Sequence, residues 1–364
     1  IGHVKRCLAL AGALSERGAA AVLVTRPTEA GIVSLVKDAG VPFRVLPEGM
    51  SLTHEAAALN ALGLASLASA KPPAKPGPAA LVLDVSHREI LREAGAIAAY
   101  FAALAARFHP LIVIDSLFEE CLVGRFDLPV DLAVIPYAGA EEQDIASPGA
   151  RLALGPAYFP LEAAYGPHVG KARRIRAEAS RVLVTAGGGD AGGFSEKTLQ
   201  ALQTIDDRRL EVRVVIGPAF QAQTRRAVAR LAAASRHRVR LLDAPADLAE
   251  PMAWCDLAVA TTGLTKYALA ATATPALLMS HYTGQAVLHR PFERLDTARY
   301  LGATAEVSVP VLAAALRELL DDKDARRAMA AAGAAVVDGR GIERTLDLML
   351  EVAAAEPPRR LRRA

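Results

Sequence analysis

A histidine stands at position 3, directly ahead of the apolar spacing Val4, Cys7, Leu8, Ala11 and Leu14 in "GHVKRCLALAGAL". That spacing predicts a helix over residues 3–17, stopped by Gly18, with the ring in its first turn. The positive end of a helix dipole disfavours the imidazolium form, so a neutral ring able to take a proton suits this place, as a general base would. A histidine that merely caps or packs there is the plainer alternative.

A second chemical signature lies in "RVLVTAGGGDAGG", where G-x-G-x-x-G falls on Gly187, Gly189 and Gly192 between an apolar strand and the helix "FSEKTLQALQTI". Gly187, Gly188, Gly189 and Asp190 then form a loop whose backbone N–H groups, with the helix N-terminus, can approach a phosphate. A dinucleotide site also wants an acidic residue about 20 residues on, at the end of the next strand. That strand, "VRVVIGP", ends in Gly217 and Pro218, and Asp206 and Asp207 lie before it. The loop therefore reads as pyrophosphate-facing rather than NAD-binding, with a tight turn and nothing more as the alternative. "ATTGLTK" at 260–266 is a similar corner, in which Thr262, Gly263 and Thr265 offer hydroxyls and amides to another phosphate oxygen; a threonine cap explains it equally well. Two such corners at carboxyl ends of neighbouring strands would converge on one crevice, expected to face the other domain and His3. His281 and His289 follow as substrate contacts or solvated side chains.

These residues need elements to hold them. "AAVLVTR", "VPFRVL", "AALVLD", "HPLIVID" and "VDLAVIP" read as buried parallel strands, with "REAGAIAAYFAALAARF" as a helix among them, and "KPPAKPGP" at 71–78 as a surface connection. The pattern restarts near residue 180 with "RVLVT", "VRVVIG", "RVRLLD", "DLAVAT" and "PALLMS", and helices run from 309 to the end. The expected fold class is α/β, with two Rossmann-like domains facing a cleft. They are an N-terminal domain over 1–170 carrying His3, a nucleotide-binding domain over 180–345, and a C-terminal helix and basic tail over 346–364, with 155–179 as linker. Because position 1 is Ile, the chain is expected to be a fragment without its first strand, starting at a helix N-terminus.

Composition narrows the classes. At 364 residues the chain suits two domains, and 52% apolar residues allow large cores. A net charge of +3 with interspersed signs argues against a nucleic-acid surface, and Arg359, Arg360, Arg362 and Arg363 read as a solvated end. Cys7, Cys121 and Cys255 form no CxxC pair, so neither a disulfide framework nor a metal site is expected, and a cytoplasmic location fits. No apolar run approaches the roughly 20 residues of a membrane span.

The opening "GHVKRCLALAGAL" resembles the start of the UDP-sugar hydrolases of pseudaminic-acid biosynthesis and the related spore-coat polysaccharide proteins, with their G-H-x-x-R-C-L-x-L-A pattern. "LGPAYFPL", "GGGD", "ADLAEPMAWCDLAVATTGLTKYALA" and "DGRGIERT" fall in that family's order. The resemblance implies a glycosyltransferase-B-type fold and a UDP-sugar substrate. It also implies attack by water at the anomeric carbon with loss of UDP, no cofactor, and association with other enzymes of the same glycan pathway. The substrate implied is a UDP-linked amino deoxy sugar of the UDP-2,4-diacetamido-2,4,6-trideoxy-altropyranose type. His3 corresponds to the catalytic histidine, and Arg6, Tyr158 and Gln285 are the sugar-proximal candidates. Three positions depart from the pattern. Ala268 stands where a glutamate usually holds the ribose, Gly284 and Gln285 replace an Asn-Gln or acidic pair, and Glu162 replaces an arginine. A glycosyltransferase of the same fold and a non-catalytic sugar-nucleotide-binding protein are the competing readings.

Overall fold

The computed structural model describes residues 2–26, 32–62, 79–85, 90–115, 121–147, 149–171, 173–190, 192–281, 283 and 290–355. The Pro-rich stretch at 71–78, Gly284, Gln285, His289 and the basic tail lie outside these. The chain divides into two compact units, one formed by His3–Pro160 with Arg340–Ala364 and the other by Leu161–Gly339.

In the first unit α1 (Gly2–Glu16) follows the predicted spacing and buries Arg6, Leu10 and Ala11. β1 (Leu23–Thr25), α2 (Ile32–Asp38) and β2 (Phe43–Val45) make a parallel pair of strands with its connecting helix. After α3 (Leu52–Leu62) come β3 (Leu81–Val85), α4 (Ile97–Ala105), β4 (Leu111–Asp115), β5 (Leu132–Ile135) and β6 (Arg151–Leu154). The four strands form a parallel sheet in the order β3-β4-β5-β6. β4 and β5 are buried at every position, which is why "LIVI", ended by Asp115, and "LAVI" read as apolar runs. The alternation of elements predicts one sheet here. The described strands instead form two, since none of them bridges β1 to β3.

The second unit is a single parallel sheet. Its elements are β7 (Arg181–Thr185), α5 (Phe194–Gln203), β8 (Glu211–Ile216), α6 (Ala222–Ala233), β9 (Arg238–Asp243), α7 (Ala249–Trp254), β10 (Leu257–Thr261), α8 (Thr265–Ala271), β11 (Ala276–Ser280), β12 (Arg299–Ala303), α9 (Val309–Asp321) and α10 (Lys323–Val336). The order β9-β8-β7-β10-β11-β12 is that of a doubly wound sheet whose direction of winding reverses between β7 and β10. Val182, Val184, Val212, Val214, Val259 and Leu277 pack there against Leu199 and Leu202 of α5 and Leu312 and Leu316 of α9. Finally α11 (Gly341–Ala354) returns to the first unit, where Leu346 and Met349 join Leu10, Ile112, Ile114, Leu132 and Val134.

The division differs from the expected one at both borders. Residues 161–170 go with the second unit and 340–345 with the first. The first border falls inside the stretch 155–179, read as a linker for its Pro, Gly and basic content, and the part of it beyond Pro160 is anchored on the second unit. Tyr165 is buried, and Arg173 donates to the carbonyls of Met252 and Thr272 and to Thr274 Oγ1. Strands β6 and β12 escape the sequence pattern because "RLAL" and "RYLGA" mix charged, small and half-buried residues. Among the described residues no helix is long and apolar enough to cross a membrane.

Candidate functional site

Each unit carries its own cluster, and each cluster sits where parallel strands end. In the first unit the N-terminus of α1 meets the carboxyl end of β3 through one carboxylate. His3 Nδ1 lies 2.7 Å from Asp84 Oδ1. Arg6 donates from Nε to Asp84 Oδ2 at 2.5 Å, from Nη2 to Oδ1, and from Nη1 to the Tyr137 hydroxyl at 2.5 Å. Cys7 Sγ points at Oδ2 from 3.5 Å. Positions 3, 6 and 7 of one helix share a face, so the motif's His, Arg and Cys all converge on Asp84.

Arg6 is 2% exposed and the Asp84 side chain 5%, whereas the His3 side chain is 44% exposed. Burial by itself would push the Asp84 carboxyl up; the Arg6 charge, with hydrogen bonds from Arg6 and His3, outweighs it and brings the pKa down to about 2. Burial likewise pushes the Cys7 thiol up, with the Asp84 charge adding to it, which disfavours the thiolate that a nucleophile needs. With Asp84 ionised, the 2.7 Å contact places a proton on His3 Nδ1, which also lies 3.1 Å from Arg6 Nη2, and in the neutral ring the lone pair is then on Nε2. A base held by a carboxylate in one tautomer is the arrangement that takes a proton from an attacking hydroxyl.

Asp84 and Tyr137 complete this cluster, although sequence reasoning names neither. Tyr158, expected near a sugar, is half-buried against the apolar cluster of Leu10, Ile112 and Leu346. Tyr137 is the tyrosine beside Arg6.

In the second unit the glycine loop follows β7 and the threonine corner follows β10, and these strands are neighbours in parallel register, with Ala260 opposite Thr185. They flank the point where the winding reverses, the usual place for a ligand crevice in an open α/β sheet. Gly187 has φ +79°, and a β-carbon there would stand 3.8 Å from Thr261 Oγ1, so the two corners adjoin. Gly217, which occupies the place of a dinucleotide site's acid, has a packing role: a β-carbon on it would come within 2.3 Å of the Gly188 carbonyl oxygen. Thr262 is buried, and among the described residues its Oγ1 has no hydrogen-bond partner. Gly263 is exposed and Thr265 half-buried at the start of α8.

Asp190 departs from its expected role. Its carboxylate accepts from Phe194 N at 2.7 Å and Ser195 N at 3.0 Å, capping α5. The N–H groups that the sequence pattern offers to a phosphate are thereby taken, and a negative charge stands in their place. The other candidate donors at these strand ends are the amides of Gly187–Gly189, of which Gly187 N already donates to Thr185 Oγ1 at 3.4 Å, and the threonine corner. Ala268 is buried inside α8, so a glutamate introduced there would take its carboxylate into that packing.

Lys266, in the first turn of α8, is 6% exposed, with its amine 5.3 Å and 5.1 Å from the ring centroids of Tyr267 and Phe292. Burial brings its pKa down to about 7. Because the folded value lies below the ordinary lysine value, the unfolded chain binds more protons between them. Stability therefore rises as pH climbs from about 7 to 10, and the cost is full below that window. Lys266→Met should raise the second unit's melting point by several degrees at pH 7 and by much less at pH 10. Calorimetry at the two pH values checks this, and an equal gain at both would rule out a charge effect.

No family model matches the chain, and no curated protein matches it. Solved structures do. MurG of Acinetobacter baumannii is 15% identical with a TM-score of 0.63 over 96% of each chain. MnaA of S. aureus, in a co-structure with UDP, is 15% identical with a TM-score of 0.61 over 98% of this chain and 96% of that one. A UDP-GlcNAc 2-epimerase from Neisseria meningitidis, bound to UDP-GlcNAc, is 10% identical with a TM-score of 0.61 over 96% of this chain and 97% of that one. At such identities the likeness establishes architecture and not activity. The chain has the α/β architecture of glycosyltransferase-B-type transferases and epimerases, with two sheet-containing domains.

Proposed function

We propose that the protein is an enzyme acting on a UDP-sugar, transferring the glycosyl group to a hydroxyl-bearing acceptor. The observation that carries this reading is the His3–Asp84 pair: a half-exposed imidazole whose buried partner fixes the proton on Nδ1. In the reaction the acceptor oxygen forms a bond to the anomeric carbon while the bond from that carbon to the diphosphate oxygen breaks. The acceptor proton passes to His3 Nε2, and UDP carries away the electron pair. Asp84 stabilises the imidazolium that results. Binding the diphosphate is assigned to the amides of Gly187, Gly188 and Gly189 and to Thr262, Gly263 and Thr265. The ligands named with the similar structures, UDP and UDP-GlcNAc, agree in class with such a substrate.

A second reading keeps the same residues and replaces the acceptor by water. It is favoured by the match of residues 2–11 to G-H-x-x-R-C-L-x-L-A, whose His, Arg and Cys all reach Asp84. Its substrate would be the UDP-linked diacetamido trideoxy sugar named above.

Incubating the enzyme with that sugar nucleotide or with UDP-GlcNAc in ¹⁸O-water, with and without a panel of glycan acceptors, separates the readings. Transfer gives UDP and a glycosylated acceptor. Hydrolysis gives UDP and a free sugar labelled at its anomeric oxygen. Label appearing in UDP would place the attack at phosphorus and overturn both, as would UDP-sugars that fail to bind.

A further inference from the structure

A cavity of about 280 Å³ opens in the second unit at the amino ends of its strands, opposite the ends that carry the glycine loop. Arg181 is the first residue of β7, Asp256 immediately precedes β10, and Thr272 follows α8. The other wall is the segment that leads into β7. Five cationic side chains line the cavity, namely Lys171, Arg173, Arg174, Arg176 and Arg181, against the single carboxylate of Asp256.

That carboxylate is already engaged. Asp256 Oδ2 accepts from the backbone N–H groups of Ser180 and Arg181, each at 3.0 Å, and lies 3.7 Å from Arg176 Nη1. Arg173 is a fixed post, its terminal nitrogens spent on Thr272 O, Thr274 Oγ1, Met252 O and Cys255 O. Arg181 lies 5.6 Å from the Trp254 ring centroid and only 3.9 Å from Glu211 Oε2. Lys171 and Arg174 are exposed at the rim and have no ion-pair or hydrogen-bond partner among the described residues. Like charges gathered in a concave wall raise the local potential and repel one another until an anion enters. Guanidinium forks beside an ammonium suit phosphate oxygens in particular, because two N–H groups of a fork meet two oxygens at once.

We propose that this pocket binds a phosphate-bearing ligand, at a site separate from the crevice at the other end of the same sheet. A soluble phosphorylated metabolite and the headgroup of an anionic lipid offer the same chemistry, and the test distinguishes them. The proposal does not depend on the reaction assigned above.

The chain has one tryptophan, Trp254, and it lines this pocket, so intrinsic fluorescence reports on the site. Inorganic pyrophosphate titrated into the full chain should change that fluorescence saturably, with affinity falling as salt is raised. Lys171→Glu with Arg174→Glu should weaken the response at least tenfold. Arg226→Glu with Arg230→Glu, which alters net charge equally on the exposed face of α6, should leave it within twofold. Flotation with phosphatidylglycerol vesicles, against phosphatidylcholine controls, is run on the same variants. Binding of pyrophosphate without flotation identifies a soluble ligand; flotation abolished only by the pocket variant identifies a lipid headgroup. The proposal is overturned if neither probe binds, or if both double variants respond alike.

Discussion

Replacing His3 by alanine should lower turnover of the UDP-sugar by roughly 10²- to 10⁴-fold, the range in which a positioned general base contributes, while UDP affinity stays within about twofold. The two effects separate because the residues assigned to the diphosphate belong to the second unit and His3 to the first. His3 is the exposed member of its cluster, so its removal leaves the buried Arg6–Asp84 pair intact, and folding should be little changed. Truncation also leaves an opening beside Asp84 that a free imidazole can enter. Added imidazole should restore part of the lost rate in His3→Ala, a recovery that a merely structural histidine would not show. Wild-type turnover in the variant, or an equal loss of UDP binding and turnover, would remove the base from the mechanism.

The sequence made α1 and its histidine legible because an amphipathic helix writes its face every three to four residues. It made the second sheet legible because central parallel strands are continuous apolar runs, as in "LAVAT" and "ALLMS". Asp84 was harder to see, since its partner Arg6 lies 78 positions away along the chain and the tyrosine that Arg6 also bonds, Tyr137, lies 131 positions from Arg6. A local trace of it does exist: "LVLDV" sets one acid near the carboxyl end of an otherwise apolar strand, and such ends are where α/β sheets keep their functional groups. Asp115 ends "LIVID" in the same way, yet its carboxylate accepts from Leu122 N and Cys121 Sγ, so the trace locates acids without giving their work. Asp190 teaches the same lesson from the other side. Its place in a glycine loop reads as ligand contact, and only the bonds to Phe194 and Ser195 identify it as a cap.

The second large effect concerns what holds His3 in place. Asp84→Asn should destabilise the first unit by about 3 to 5 kcal/mol, because it leaves the Arg6 guanidinium, 2% exposed, facing a neutral amide. Arg6→Met should do comparable harm by removing the buried cation from the carboxylate and leaving it only the half-exposed His3. The combination Arg6→Met with Asp84→Leu removes both charges together, and buried pairs replaced by apolar groups are often neutral or better, so most of the loss should return. Turnover should not return with it, since Nδ1 would have no carboxylate to fix its proton. Acid adds an independent check. Asp84 titrates near 2 in the fold against an ordinary 3.8, so its contribution is present above about pH 4 and is lost as pH falls toward 2. The double variant should lack that acid-sensitive step of about 2 kcal/mol. Hydrogen exchange at β3, β4 and β5, followed between pH 2.5 and 7 in the wild type and the three variants, measures the first unit by itself. A double variant no more stable than Asp84→Asn would show that packing around these side chains, and not their pairing, sets the loss. A stable double variant with wild-type turnover would show that Asp84 holds the fold and has no part in orienting His3.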